Sequence, residues 1–325
     1  MDKLVAVVLD KLLQNFTPQL SFTIALSGGI DSVVLLHILN EIAKSSHDKY
    51  KLDAIHINHG ISKNAAKWAT FCQDICNSLN IPIKICNHNV TKLGGESLEN
   101  NARAVRYKEF FNHSTDVIIL AHHKTDQVET TLSQIFRGSD LHNIAGMREI
   151  SHKQSKTLWR PLLDFSKKDI EEYAYHHQLQ NIVDESNTDT QYLRNFIRQN
   201  ILPSLVEWDK NIIPKILKTN EQIINSMALI DEIAENDLQL IVIKDNNNID
   251  LAKFKMLSTL RQNNVLSYYI LSQDLVLPSQ RQISEFIRQL NTCQVDKSPR
   301  LKIDAKHEIT KQKQYISITA ISYFK

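Results

Sequence analysis

A short stretch of small and polar residues stands out in the sequence: Ser27, Gly28, Gly29, Ile30, Asp31 and Ser32. An apolar segment at residues 21–26 precedes it and predicts a buried strand, whereas the apolar run at 33–39 predicts a helix. Glycines allow a sharp turn, and a helix N-terminus directs N–H groups and the positive end of its dipole at one point. The stretch therefore predicts a phosphate site; a simple capped turn between strand and helix is the alternative. It has no Gly-Lys-Ser/Thr and so differs from the kinase-type phosphate loop.

Two further polar groups also come directly after predicted strands. Asn58, His59 and Gly60 end the strand predicted at 51–58, and Ala121-His122-His123 ends the one at 116–120. In a parallel doubly wound sheet, the carboxyl ends of the strands share one edge, which is where such folds bind ligands. We therefore expect these groups and the phosphate turn to form one site.

Carboxylates follow the pair His122-His123 at helical spacing. His122 and Asp126 lie four residues apart, and Glu129 lies three residues further on, so all three can converge. Carboxylate oxygens suit Mg²⁺, which keeps several waters and shares substrate phosphates. Zinc would need another His or Cys at regular spacing. Ordinary capping of the strand end is the alternative for the two histidines.

Arginines are placed on two predicted helices. Arg103 and Arg106 share a face with Glu99 on the helix predicted at 97–111, either as a phosphate-binding pair or as an internal salt bridge. Arg194 and Arg198 lie one turn apart and follow the acidic cluster 184–189. They could bind phosphate or backbone. That cluster lacks the glycine of a calcium loop, and Asn195 stands where the closing Glu would be.

Length and composition set the organisation. A chain of 325 residues predicts two or three domains, and no apolar run reaches the ~18 residues of a membrane span. The N-terminal segment looks like a surface helix without a cleavage site, which predicts a cytoplasmic protein. The four cysteines (Cys72, Cys76, Cys86 and Cys293) form no Cys-x-x-Cys pair, so buried thiols are expected.

The predicted architecture is a doubly wound, mostly parallel α/β catalytic domain at 1–213 and a smaller, mainly helical accessory domain at 214–325. Alternation near residues 315–318 predicts a terminal hairpin. Lysines and arginines cluster at 297–313, although the net charge of the chain is only +2. A solvated face and contact with an RNA backbone remain equal alternatives for this basic segment.

Taken together, the motifs resemble the tRNA(Ile)-lysidine synthetase family of N-type PP-loop ATP-pyrophosphatases. The resemblance covers about two thirds of the chain. It rests on these segments, in order: SGGIDS at Ser27, Asn58-His59-Gly60, Glu99 to Tyr107, AHHKTDQVET at Ala121, Arg137-Gly138-Ser139, Arg160-Pro161-Leu162-Leu163 and DESNTDTQYLRNFIR at Asp184. The chain departs from the family at Asp140, where Gly is usual.

The resemblance implies a defined reaction. ATP adenylates the 2-oxo group of the wobble cytidine of an isoleucine tRNA with a CAU anticodon, and L-lysine then replaces AMP at carbon 2. Residues 27–32 with Asn58 and His59 would bind ATP. Asp31, Asp126 and Glu129 would hold Mg²⁺. The resemblance also suggests a homodimer.

The remaining roles are implied in the same way. Catalytic roles fall to Asp31, Arg103, Arg106, His122, Asp126 and Glu129, with Arg103 or Arg106 at the α-phosphate. Lysine must lose a proton, and Glu129, Asp184 and Glu185 are the candidate acceptors. Contacts to tRNA or lysine are expected from Arg137, Asp184, Glu185, Asn187, Arg194, Asn195 and Arg198.

Two other functions are compatible with parts of the pattern. A tRNA thiolase of the same superfamily would use a Cys cluster or a persulfide cysteine, whereas Cys72 and Cys76 lie one turn apart on an amphipathic helix and predict packing. A non-catalytic nucleotide sensor or tRNA-binding protein would bind tRNA without releasing pyrophosphate.

Overall fold

The structure is a computed structural model. It describes residues 2–17, 20–45, 50–90, 98–153, 156–183, 190–243, 246–293 and 297–321. Contacts divide the chain into two units, one of residues 1–139 with 146–219 and one of residues 140–145 with 220–325. The division into domains 1–213 and 214–325 stays a prediction.

The first unit is built on a six-stranded sheet. Its strands are β1 Ser21–Ala25, β2 Lys51–Asn58, β3 Ile83–Asn87, β4 Val117–Ile119, β5 Ile150–Lys153 and β6 Lys156–Trp159. They lie in the order β3-β2-β1-β4-β6-β5, and every neighbouring pair is parallel except β5 with β6. The connection reverses between β1 and β4, which is where doubly wound sheets open a ligand crevice. The predicted α/β class is confirmed.

Helices cover the sheet. Those of the first unit are α1 Lys3–Asn15, α2 Ile30–Ser45, α3 Ala65–Leu79, α4 Leu98–Asn112, α5 Lys124–Phe136, α7 Lys167–His176, α8 Leu193–Phe196 and α9 Leu202–Trp208. A π-helical turn, Ile197–Ile201, joins α8 to α9. Helix α6, Leu141–Ile144, belongs to the second unit, and α10, Ile212–Ile241, contains the division at residue 219.

The central strand and the helix after it form the core of this unit. Phe22 and Ile24 of β1 and residues 33–36 of α2 are buried. Thr23, between Phe22 and Ile24, is buried as well, so successive residues on both faces of β1 are covered by the surrounding structure. The chain between β1 and α2 is thereby held rigidly at the carboxyl edge of the sheet.

The second unit combines helices with an antiparallel sheet. Its other helices are α11 Leu251–Met256, α12 Thr259–Leu271 and α13 Gln280–Thr292, and its strands are β7 Val242–Ile243, β8 Asn248–Asp250, β9 Arg300–Lys302, β10 His307–Gln312 and β11 Tyr315–Ala320. The predicted hairpin is β10 with β11, but it lies within a five-stranded sheet of order β7-β8-β11-β10-β9. Strands of two or three residues carry no readable alternation, so the sequence did not show them.

Among the described residues, no helix is both long enough and apolar enough to cross a bilayer.

Candidate active site

The turn between β1 and α2 is held by its own serines. Ser27 Oγ accepts from the Gly29 N–H at 3.3 Å and lies 3.1 Å from Ser32 Oγ. The Ser32 hydroxyl donates to the Gly29 carbonyl at 2.9 Å, and the Ser27 N–H donates to Ser32 Oγ at 3.2 Å. Both serines thus close the turn internally, while α2 starts at Ile30 with Asp31 in its first turn.

Gly28 is the residue in this turn that requires glycine. Its φ of +85° is a left-handed conformation, and a Cβ there would lie 2.5 Å from Ile182 Cδ1 and 3.2 Å from Cys72 Sγ. Its carbonyl accepts from the Ile182 N–H at 2.9 Å. Gly29 has no such constraint, since the nearest atom to its Cβ position is Ser27 Oγ at 3.5 Å.

The end of β2 forms the neighbouring wall. Asn58 Oδ1 accepts from the Gly60 N–H at 2.9 Å, and Asn58 Nδ2 donates to Asn87 Oδ1. Burial, together with the charge of Arg106, lowers the pKa of His59 to about 4. A neutral imidazole therefore lies beside an arginine at this edge.

The two histidines after β4 have different environments. Burial lowers the pKa of His122 to about 3; the charges of Arg160, Arg194 and Arg103 act in the same direction and Asp126 opposes them. Its Nδ1 is buried and has no hydrogen-bond partner among the described residues. His122 is thus a neutral group beside guanidinium ions.

His123 begins helix α5. The ring Nδ1 of His123 accepts from the Thr125 backbone N–H at 3.2 Å, and the His123 backbone N–H donates to Asp126 Oδ2 at 3.0 Å. Together these two bonds form a capping box. A ring whose Nδ1 accepts carries its proton on Nε2. That Nε2 lies 3.8 Å from Asp31 Oδ1 and 3.4 Å from Asp126 Oδ2. His123 therefore bridges the two carboxylates, a role that the sequence did not predict.

Asp31 is also paired with a lysine from α7. Lys167 Nζ donates to Asp31 Oδ1 at 2.6 Å, across 136 residues of sequence. The side chains of Lys167 and Asp31 are 36% and 29% exposed, so both remain open to solvent or substrate.

Asp126 and Glu129 hold Arg194 and Arg198. Arg194 donates from Nε to Glu129 Oε2 at 2.9 Å and from its terminal nitrogen to Asp126 Oδ1 at 2.7 Å. Arg198 donates to Glu129 Oε1 and Oε2 at 2.6 and 2.8 Å. The Glu129 side chain is completely buried. Burial favours a higher pKa for Asp126, but His123 and Arg194 outweigh it and lower the pKa.

This arrangement decides how well the predicted metal ligands fit Mg²⁺. Asp31 fits, because its carboxylate is partly exposed at the phosphate turn and offers hard oxygen donors. Asp126 and Glu129 fit less well, because arginines and the His123 N–H already occupy their oxygens. No group of three or more metal-binding side chains occurs in the part of the chain that the structure describes.

An aromatic and basic cluster lies on α4 and β6. The Arg103 guanidinium stacks over the Tyr107 ring at 4.9 Å and donates to its hydroxyl at 3.3 Å. Arg160, buried directly after β6, donates to the Arg148 carbonyl at 2.8 Å and to Ser151 Oγ at 3.0 Å. Arg160 belongs to one of the segments that carry the family resemblance, but it was not predicted from the sequence as a site residue. Its position directly after a parallel strand could have indicated a place in the site.

The other predicted residues have various positions. Arg137 is exposed at the C-terminus of α5, Asn195 is half-buried on α8, and Arg106 is exposed on α4. Asp184, Glu185 and Asn187 lie outside the described residues. Asp140, where the family has Gly, caps α6 by accepting from the Asn143 N–H at 3.0 Å.

The cysteines near the phosphate turn are buried thiols. Burial raises the pKa of Cys72 to about 12 and that of Cys76 to about 11. Cys72 packs beneath Gly28. The side chains of Cys72 and Cys76 both belong to the core around β1. Thiols with such pKa values are poor nucleophiles at neutral pH.

The turn at residues 27–32 lies at the switch point of a parallel sheet and lacks the lysine of the kinase-type loop, which is the arrangement expected for the class of PP-loop ATP-pyrophosphatases. The PP-loop domain family accordingly matches residues 1–205, and the TilS substrate binding domain matches residues 249–314. With both matches, the chain belongs to the tRNA(Ile)-lysidine synthase family.

Individual relatives agree with this assignment. The chain is 35% identical over 297 residues to the tRNA(Ile)-lysidine synthase of Haemophilus ducreyi, covering 90% of this chain and 67% of that one. It is 36% identical over 285 residues to that of Nitrosomonas europaea, covering 87% of this chain and 61% of the relative. The chain thus spans about two thirds of the length of these relatives.

A solved structure shares the fold. The U34-tRNA thiolase NcsA from Methanococcus maripaludis superposes with a TM-score of 0.57 at 17% identity, covering 68% of this chain and 79% of that one.

Proposed function

We propose that the chain uses ATP to ligate L-lysine to carbon 2 of the wobble cytidine of isoleucine tRNA with a CAU anticodon. The products are lysidine, AMP and pyrophosphate. The observation that carries the proposal is the phosphate turn at residues 27–32, which lies beside the His122–Asp126 segment at the carboxyl edge of the sheet in a chain of this family. Lysine as a substrate and a homodimeric state are parts of the same proposal.

In the first step, the cytidine 2-oxo oxygen attacks the α-phosphorus of ATP, and the bond between this phosphorus and the α–β bridging oxygen breaks. The backbone of residues 27–32 supports the phosphates at the start of α2. Arg103 and Arg106 on α4 are proposed to stabilise charge at the α-phosphate. His122, neutral because of its low pKa, orients the α-phosphate through a hydrogen bond.

Mg²⁺, when bound, neutralises phosphate charge. Asp31 is the residue that we propose as its main protein ligand, because its carboxylate remains partly exposed. Asp126 and His123 hold the start of α5 next to it.

In the second step, the lysine ε-amine attacks carbon 2, and the C–O bond to the adenylate breaks to release AMP. The amine must first lose a proton to a carboxylate. Glu129 is a poor acceptor because both of its oxygens accept from arginines. We therefore propose Asp184 or Glu185 as the acceptor.

Arg194 and Arg198 act with Asp126 and Glu129. The side chains of Arg194 and Arg198 are 30% and 39% exposed. We propose that they also contact the lysine carboxylate or the tRNA backbone. Arg137, Asn187 and Asn195 are proposed as further contacts to these substrates.

The test uses purified protein, ATP, Mg²⁺, radiolabelled lysine and isoleucine tRNA transcripts. Label should enter the CAU transcript only when ATP is present, with one pyrophosphate released per lysine. A transcript with uridine at the wobble position is the matched control. Equal labelling of that control would disprove the wobble cytidine as the target. Pyrophosphate release without labelling of the tRNA would disprove lysine as the attacking amine.

A further inference from the structure

The phosphate turn has no lysine of its own, although the pyrophosphate that it releases is strongly anionic. P-loop enzymes place a lysine at the β- and γ-phosphates through their Gly-Lys-Ser/Thr sequence. Here an ammonium group reaches the turn from elsewhere in the chain, since Lys167 Nζ lies 2.6 Å from Asp31 Oδ1.

Three arginines of the site donate to groups outside the turn. Arg194 and Arg198 donate to Glu129, and Arg160 donates to the Arg148 carbonyl and to Ser151. Within the described residues, Lys167 provides the only ammonium or guanidinium group that forms an ion pair with a side chain of residues 27–32.

The backbone of Lys167 is firmly placed. It is the first residue of α7, whose N-cap Ser166 forms a capping box with Asp169. The carbonyl of Phe165, the residue before this N-cap, accepts from the Lys124 N–H at 3.0 Å. This hydrogen bond joins the start of α7 to the start of α5. A flexible four-carbon side chain on such an anchor can turn from one oxygen to another without moving the fold.

We propose that Lys167 is a phosphate-binding residue that substitutes for the missing P-loop lysine. Before ATP binds, its ammonium group neutralises Asp31. When Asp31 turns to the metal that accompanies ATP, the ammonium group moves to the β- and γ-phosphate oxygens. This inference rests on the proposed use of ATP at this turn.

Its chemical role follows from where the electrons go. As the cytidine oxygen bonds to the α-phosphorus, the electron pair of the breaking bond moves onto the bridging oxygen, which leaves with pyrophosphate. A cation at the β- and γ-phosphates stabilises that developing charge and leaves the AMP part unaffected. Binding of pyrophosphate and ATP should therefore depend on Lys167, whereas binding of AMP should not.

A purely structural salt bridge between α7 and α2 would behave differently. Loss of such a salt bridge would loosen the whole phosphate turn and would weaken the binding of AMP, pyrophosphate and ATP alike.

The experiment measures dissociation constants of the full chain by calorimetry, without tRNA or lysine. The ligands are AMP, pyrophosphate and a non-hydrolysable ATP analogue, the last two with Mg²⁺. Lys167→Met is compared with Lys167→Arg and with the control Lys168→Met, whose side chain is 83% exposed and contacts Glu172. Lys167→Met should weaken pyrophosphate and the analogue by roughly ten- to hundredfold and leave AMP unchanged. Lys167→Arg should retain most of the affinity.

Unchanged affinity for all three ligands, or an equal loss for all three, would overturn the proposal. A second measurement on the unaltered chain covers the case in which Lys167→Met does not fold. Pyrophosphate should protect Lys167 from acetylation, as read by mass spectrometry, whereas AMP should not; equal labelling with both would also overturn it. Neither measurement involves lysine transfer. If the unaltered chain forms no lysidine but shows the expected binding and protection, the proposed function is refuted and this inference stands.

Discussion

Replacing Glu129 by glutamine tests whether this residue holds arginines or a metal ion. Its side chain is completely buried, and Arg194 and Arg198 donate three hydrogen bonds to it at 2.6–2.9 Å. Glutamine has nearly the same shape but no charge, so it leaves two adjacent guanidinium groups with Asp126 as the remaining carboxylate of the network. We expect the first unit to become less stable.

The magnitude follows from the exposure of the partners. Removing one member of a buried ion pair costs about 3–5 kcal/mol. The arginine side chains are 30% and 39% exposed, so water can solvate the unpaired guanidinium groups and reduce this cost. We expect the free energy of unfolding to fall by roughly 2–3 kcal/mol. For a unit of this size, that loss lowers the melting temperature by about 4–12 °C.

The opposite sign is expected if Glu129 is mainly a metal ligand. Carboxylates gathered for a cation repel one another when the cation is removed, so neutralising one of them would raise stability. The sign of the change therefore separates the two roles.

The assay is thermal and urea unfolding of the full chain in excess EDTA. Glu171→Gln is the control, because Glu171 is exposed on α7, and this change should stay within about 0.5 kcal/mol. Adding Arg198→Gln to the Glu129 variant should cost less than the sum of the single changes. A Glu129→Gln protein as stable as the unaltered chain, or more stable, would refute the arginine-holding role.

Three other predictions concern the same edge of the sheet. Gly28→Ala should destabilise the chain by about 2–4 kcal/mol in urea unfolding, from its left-handed φ and the 2.5 Å approach to Ile182, whereas Gly29→Ala should cost clearly less; equal losses would contradict the geometry. His122 has a folded-state pKa of about 3 against its usual 6.5, so the unfolded chain takes up the proton first and stability falls as the pH drops from about 6.5 toward 3. His122→Asn should make that fall shallower by up to about 1.4 kcal/mol per pH unit, and an unchanged slope would show that His122 is not buried neutral. Cys72, with a pKa near 12, should resist iodoacetamide at pH 8 in the folded chain and react in urea, as measured by mass spectrometry; rapid labelling of the folded chain would revive a sulfur-transfer role.

Local features were predictable because they depend on neighbouring residues. The strand at Lys51–Asn58 follows from a short pattern, and it is confirmed. Strand β5, at Ile150–Lys153, was missed because four residues that pair only through β6 carry no pattern of their own.

The sequence by itself determined that strand ends carry the polar residues of the site, since each motif follows a strand that the apolar pattern reveals. It also showed that Arg194 and Arg198 share a helix face. It did not show what that face meets.

Only the tertiary structure decided the partners. Asp126 and Glu129 looked like metal ligands at helical spacing, but they receive arginines that lie 65 to 72 residues further along the chain. Asp31 receives Lys167 across 136 residues. Such pairs depend on the order of the strands and on which helix packs beside which, and spacing along one helix contains no information about either. The residues of the phosphate turn could thus be named from the sequence, whereas the charges that surround them were set by the packing of α5, α7 and α8.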